Sequence, residues 1–247
     1  MSTASEKEKL SAIARGHSYE SGFNGRLGKY RIQLIAENIA GIAGENQVLE
    51  IGAGEGPITS YLSSYFNDVT AIEPADDYFA LLTRRFESAK NVHLHHGLFE
   101  DWQSERLFPL IVAAGVLEHV QKPVDFVKKI ARHLLPGGTL LATVPNAASL
   151  HRRLGVDMGM LGELHELSAQ DHKVGHCRYY DFASFRGDIE SGGLKVSKME
   201  GLVLKPFPNS KMDELTEPFC DALFNVGRTL PEWGAEIFVR AEKGEQK

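Results

Sequence analysis

The stretch "VLEIGAGEG", Val48–Gly56, decides how this chain is read. A short apolar run ends in Glu50 and Ile51, and three of the next five positions, Gly52, Gly54 and Gly56, are glycine. A plain turn needs one or two; three allow a tight turn together with close approach of backbone to a ligand. Pro57 then stands where a helix can start without losing a needed donor. A dinucleotide fingerprint, G-x-G-x-x-G, would need its third glycine at Pro57, so that reading fails. The pattern is E-x-G-x-G-x-G. Glu73 closes the next apolar run, where a carboxylate can accept both hydroxyls of a ribose. Read alone, Glu73 could equally cap a helix beginning near Asp76; in register with the glycine loop it points to a nucleoside ligand.

Outward from this stretch the chain alternates. Gln47–Ile51, Val69–Ile72, Val92–His95, Leu110–Ala114 and Thr139–Val144 are short apolar runs bounded by Gly, Pro or Asn, as buried parallel strands are. Helical spacing fills the gaps at Leu27–Ile42, Pro57–Phe66, Asp77–Phe86 and Pro123–Leu135, the last before a Pro-Gly-Gly stop. Such a series predicts a parallel sheet with helices on both faces and a ligand at the carboxyl ends of the central strands. The rhythm breaks after Pro145. Residues 146–180 hold His, Gly and Met without a strand and read as a cap inserted beside the cleft; a helix at Phe182–Glu190 and strands at Leu194–Leu204 and Ala235–Ala241 follow. The expected organisation is therefore an N-terminal lid and first helix (1–45), a ligand-binding core (46–145), the cap (146–180), and the rest of the core (181–247).

Composition narrows the function classes. The chain has 247 residues, 24% charged and 43% hydrophobic, as soluble globular proteins have, and no apolar run long enough to cross a bilayer. The formal net charge is -6 with dispersed basic residues, which argues against a nucleic-acid substrate. Cys177 and Cys220 form no CxxC pair, so no cysteine-rich zinc site is read, and a reducing compartment fits. The start "MSTASEKEKL" lacks the basic and apolar regions of a secretory signal, and a cytoplasmic location is expected.

"VLEIGAGEGPIT", the acid in "VTAIEP", "HHGLFEDW", "AAGVLEHV" and "LLPGGTLLATVPN" occur in the order of the successive motifs of class I S-adenosylmethionine-dependent methyltransferases, and the chain resembles that family over about 100 residues. The resemblance implies a Rossmann-like α/β fold whose seven-stranded, mostly parallel sheet has the order 3-2-1-4-5-7-6, with S-adenosylmethionine as cofactor. It places Glu50, Gly52, Gly54 and Gly56 around the methionyl and ribose groups, Glu73 on the ribose, and Gly97, Leu98 and Phe99 beside the adenine. Two carboxylates suit a sulfonium cation and would repel a pyrophosphate.

The acceptor site needs separate residues. In "VLEHV", His119 follows strand four over the cleft and has the ordinary pKa of a general base; the alternative is that the Glu-His pair packs at the loop, with Glu118 structural or against the cofactor. In "DHKVGHCRYYD", Asp171–Asp181, His176 is the second candidate base, with His172, Arg178 and Tyr179 as substrate contacts; the alternative is a polar loop capping a helix at Asp181. His172 and His176 lack a third ligand, so no metal is expected. "GLVLKPFPNSKM" is similar to small-metabolite and surface-saccharide methyltransferases and adds Lys205 to an acceptor pocket. Ahead of the first helix, "HSYESGFNGRLGKYR" reads as a lid with Tyr19 as its cofactor contact, or as a frayed terminus. The resulting expectation is methyl transfer to an oxygen or nitrogen of a small, anionic metabolite or sugar, with a homodimer left open. The alternative is a catalytically silent cofactor-binding regulatory protein.

Overall fold

The structure is a computed structural model that describes residues 3–15, 18, 20–40, 42 and 46–245. In chain order, α1 (Thr3–Ala14) and α2 (Gly22–Ile39) precede β1 (Gln47–Ile51), α3 (Pro57–Tyr65), β2 (Asp68–Glu73), α4 (Asp76–Arg85), β3 (Val92–His96) and β4 (Phe108–Ala114). Then come α5 (Pro123–His133), β5 (Leu134–Pro145), α6 (Leu150–Asp157), α7 (Ala169–Lys173), α8 (Phe182–Ser191) and β6 (Lys195–Leu204). After these follow α9 (Asn209–Met212), α10 (Glu217–Thr229), a 3-10 turn at Pro231–Trp233, and β7 (Gly234–Glu242).

The strands form one sheet in the order β3-β2-β1-β4-β5-β7-β6. The first five run parallel, and β7 lies antiparallel between β5 and β6. This is the order that the motif series implies. Alternate residues of the strands feed two cores. Ile111 and Ala113 of β4 join the core under α5 and α8, with Phe126, Ile130, Phe185 and Ile189. Leu110 and Val112 join the core under α2, α3 and α10, with Phe23, Tyr30, Leu62 and Phe224. Each such side chain, fully buried, contributes about 1.5–3 kcal/mol of transfer free energy. With both faces covered, polar side chains reach solvent mainly at the strand ends, and the carboxyl ends of β1, β2 and β4 carry the motif residues.

The start of α2 and the end of α5 are among the helix boundaries that differ from the periodicity. α2 begins at Gly22 rather than Leu27, although Gly22, Gly25 and Gly28 weaken a helix there. Burial of Phe23 in the second core, and donation by its backbone N–H to Asp213, outweigh that cost. α5 stops at His133, short of Leu135, because the residues before Pro136 turn extended and pair with Phe108. Residues 146–180 hold α6 and α7; their one ladder contact is an isolated bridge between Asn146 and Tyr180. No helix among the described residues is long and apolar enough to cross a membrane.

Candidate active site

The glycine loop is built on backbone that side chains rarely adopt. Gly52, Gly54 and Gly56 have φ of 76°, 56° and 89°. A Cβ on Gly52 would stand 2.7 Å from Val116 in the loop after β4, and one on Gly56 would stand 2.7 Å from Leu82 of α4. Gly52 thus lets the glycine loop lie against the "VLEH" loop, and Gly56 lets α4 close on the start of α3. Ser18 Oγ and the Glu20 N–H both donate to the Glu55 carboxylate, while Arg85 donates to the Glu55 carbonyl at 2.7 Å. The stretch before α2 is fastened to the loop in this way. Tyr19, the expected lid contact, lies outside the described residues.

Glu73 braces the start of α4 and the glycine loop together. One oxygen accepts the N–H of Ala75 at 2.8 Å, where α4 begins, and the other accepts the N–H of Gly54 at 2.8 Å. Burial raises its pKa to about 7 against those two bonds. Glu50 is also buried, accepts the Thr59 hydroxyl at 2.6 Å, and is raised to about 8 by burial and, after that, by the charge of Glu73. The sequence reading treats both as standing negative charges. Burial thus opposes a standing charge on both carboxyls. Gly97 donates its N–H to the Glu73 carbonyl at 3.1 Å, which places the Gly97–Leu98 turn beside Glu73. Phe99 corrects the expectation: its ring is buried among Trp102, Phe126 and His133, so it supports this turn from the core instead of facing the cleft.

The cap meets the "VLEH" loop through backbone, with Cys177 N–H donating to the Glu118 carbonyl at 2.8 Å. This contact brings His119 and His176 together, their rings 5.0 Å apart and edge to face. One nitrogen of each ring and one Glu118 oxygen lie within 4.8 Å of one another. His119 Nδ1 contacts the Gly175 carbonyl at 3.2 Å, and His176 Nδ1 contacts Asp171 Oδ1 at 3.2 Å. Asp171 also accepts the Tyr179 hydroxyl at 2.9 Å and the Ser168 hydroxyl at 2.6 Å, and Arg152 stands over the Tyr179 ring. Burial works against ionising Asp171, but the bonds from His176, Ser168 and Tyr179 outweigh it and hold it well below the usual carboxylate range. Glu118 is buried, and burial raises its pKa to about 7.

The other expected substrate contacts divide. Lys205, at the end of β6, is half-buried, and burial pushes it down to about 8 against the attraction of Glu236 and Asp171. Val203 just before it has φ 34°, a strained value for a β-branched residue, accommodated where Gly227 brings α10 against that backbone. His151 of α6 faces the same charges and is lowered to about 3 by burial, then by Lys205 and Arg152. Arg31 forks onto Glu236 beside this group. Tyr179 joins the cluster through Asp171. His172 does not: it is exposed on α7, whose buried residue is Asp171. Arg178 donates to the Gln121 carbonyl at 3.2 Å, away from Asp171. Sequence reasoning passed over Asp171 and Arg152. The spacing Ser168-x-x-Asp171, a capping box, was the available signal for Asp171, and it announces a helix start but no role.

A sequence profile of the methyltransferase domain matches residues 26–198. An uncharacterized methyltransferase of Staphylococcus carnosus is 33% identical over 129 residues, covering 50% of this chain and 60% of that protein. A ubiquinone biosynthesis O-methyltransferase of Rickettsia felis is 25% identical over 153 residues, covering 60% and 63%. The chain thus spans less than two thirds of the length of these relatives. Among solved structures, the N-methyltransferase NodS of Bradyrhizobium japonicum, in complex with S-adenosyl-L-homocysteine, superposes with a TM-score of 0.60 over 98% of both chains at 14% identity, a likeness of fold alone.

Proposed function

Since the chain belongs to the class I S-adenosylmethionine-dependent methyltransferase family, we propose that it transfers the methyl group of that cofactor to an oxygen or nitrogen of a small, anionic metabolite or sugar. One observation carries the reading. The Gly52–Val116 contact sets the cofactor loop directly against the loop bearing Glu118 and His119, and the cap adds His176 to the same place. The glycine loop and the Glu118–His119–His176 group therefore lie side by side at the carboxyl ends of β1 and β4.

Transfer is an in-line displacement. The acceptor's lone pair forms a bond to the methyl carbon, the carbon–sulfur bond breaks, and its electron pair neutralises the sulfonium to give S-adenosylhomocysteine. A hydroxyl or protonated nitrogen must also lose a proton, which leaves through the Glu118–His119–His176 group. Lys205 and Arg152 put positive charge beside His151 and Asp171, which supports an anionic acceptor. The acidic net charge supports a small molecule over nucleic acid, and the two free thiols, Cys177 half-buried and Cys220 buried, support a cytoplasmic setting.

Calorimetry tests the cofactor: S-adenosylmethionine and S-adenosylhomocysteine are expected to bind and NAD is not. A panel of anionic metabolites and sugars, screened for S-adenosylhomocysteine formation, tests transfer. Cofactor binding with no turnover across oxygen and nitrogen acceptors would leave a silent binding protein as the better reading.

A further inference from the structure

A single imidazole suffices to take a proton from a hydroxyl, yet three donors converge beside the glycine loop. A carbonyl and an ionised carboxylate can only accept, so the contacts to Gly175 and Asp171 put the Nδ1 hydrogen on His119 and on His176. The lone pair of each neutral ring then sits at Nε2. Histidines that hold a metal are oriented in this manner, by an outer carboxylate or carbonyl. Glu118 supplies an independent sign: its side chain is 2% exposed, and its Oε2 has no hydrogen-bond partner among the described residues. Such an oxygen is costly to bury unless something satisfies it. Arg31, which also faces Glu118, has its charge matched by the fork onto Glu236.

We infer that Glu118, His119 and His176 form a binding site for a divalent cation of the zinc or manganese kind, with a coordination position open toward the acceptor. Two imidazoles and one carboxylate suit such ions, whereas magnesium and calcium favour all-oxygen sites. Three protein donors leave at least one position for a substrate oxygen. The sequence reading found no third ligand near His172 and His176; the fold replaces exposed His172 with two donors from the loop after β4.

The site rests on the proposed methyl transfer for its purpose and extends it. An acceptor hydroxyl bound to the cation becomes more acidic and releases its proton to water. The resulting oxyanion attacks the methyl carbon while sulfur takes the carbon–sulfur pair. His119 and His176 then act as donors to the cation rather than as free bases.

The test is titration of the full chain, stripped with a chelator, with Zn2+, Mn2+ and Mg2+ by calorimetry, and with Co2+ by visible absorption, alongside S-adenosylhomocysteine binding. One Zn2+ or Mn2+ per chain is expected, with Mg2+ at least about 100-fold weaker. Glu118→Gln and His176→Ala should each weaken cation binding by about 100-fold or more, and Asp171→Asn by about 10-fold or more, with an unchanged far-ultraviolet circular dichroism spectrum as the check on folding. Wild-type protein that binds S-adenosylhomocysteine but none of these cations would overturn the site and return His119 and His176 to the role of base. Cation binding unchanged in both Glu118→Gln and His176→Ala would overturn it as well. Cation binding without any cofactor binding would keep the site and strike the methyltransferase reading instead.

Discussion

Replacing Glu73 by Gln separates the two roles that its carboxylate combines. The two oxygens accept the Gly54 and Ala75 N–H groups, each at 2.8 Å. An amide can satisfy one of them and turns a donor toward the other. It also loses the charge that favours a ribose diol and a sulfonium. Loss of one or two charge-assisted bonds, each about 1.5–3 kcal/mol, weakens cofactor binding by about 10-fold to 100-fold or more. The wild type should show a further signature. Burial lifts Glu73 to about 7, and the cofactor binds its ionised form, so the site is largely protonated near pH 6 and largely ionised near pH 8. Affinity should then tighten by about tenfold over that interval and level off above it. The ligand's own amino group titrates not far above this range, so the Gln variant, whose affinity should lack the carboxyl's share of that slope, is the control. Calorimetry with S-adenosylhomocysteine at three pH values gives both readings. An unchanged dissociation constant in Glu73→Gln would refute the ribose role and leave a helix cap; equal slopes in the two proteins would refute the protonated resting state.

Glu50 offers a stability test of the same electrostatics. Its folded pKa is raised to about 8, so its contribution to stability is fully present below its unfolded pKa and is lost as pH rises through the folded value. Glu50→Gln keeps an acceptor for Thr59 and removes that loss; near pH 8 it should be more stable than wild type by at least about 1 kcal/mol, roughly 2–4 °C in melting temperature, with the difference shrinking toward pH 5. His151 titrates in the opposite sense below that range and is common to both proteins, so it cancels in the comparison. Gly56→Ala should destabilise by about 2–4 kcal/mol, from positive φ plus a Cβ 2.7 Å from Leu82, and a thermal melt reads it; an unchanged melt would mean that α4 gives way without cost. Once an acceptor is found, Lys205→Met should raise its KM by about tenfold with cofactor affinity intact, and by more than Arg178→Ala does, because Lys205 faces the cap charges while Arg178 is held by the Gln121 carbonyl. A larger effect at Arg178 would move the acceptor toward the outer side of the cap.

The sheet was legible because parallel strands buried on both faces leave continuous apolar runs, and β1, β2 and β4 fall where those runs are. Strand order came from the motif series, since spacing alone gives no neighbour relations. The missed parts share a physical cause. α2 extends over Gly22, Gly25 and Gly28 because Phe23 finds a core that local propensity cannot report. Phe99 carries a loop position in the sequence and a core position in space, where its ring packs against Trp102, Phe126 and His133.

The polar cluster sets a sharper limit. His119 and His176 are 57 positions apart, and each reads as a lone base in its own motif. They become one group where the two loops meet, through contacts such as Cys177 N–H to the Glu118 carbonyl and His119 Nδ1 to the Gly175 carbonyl, which no side-chain pattern announces. His172 does not join the group. Across a single helical turn the buried position is Asp171, and the capping box with Ser168 fixes it there; His172 follows on the exposed side. With Asp171 inside, His176 Nδ1 is engaged by its carboxylate, and the ring lies 5.0 Å from that of His119. The composition of "DHKVGHCRYYD" marks a polar segment, and the helix register decides how its residues are placed: Asp171 is buried against His176 Nδ1, and His172 meets solvent.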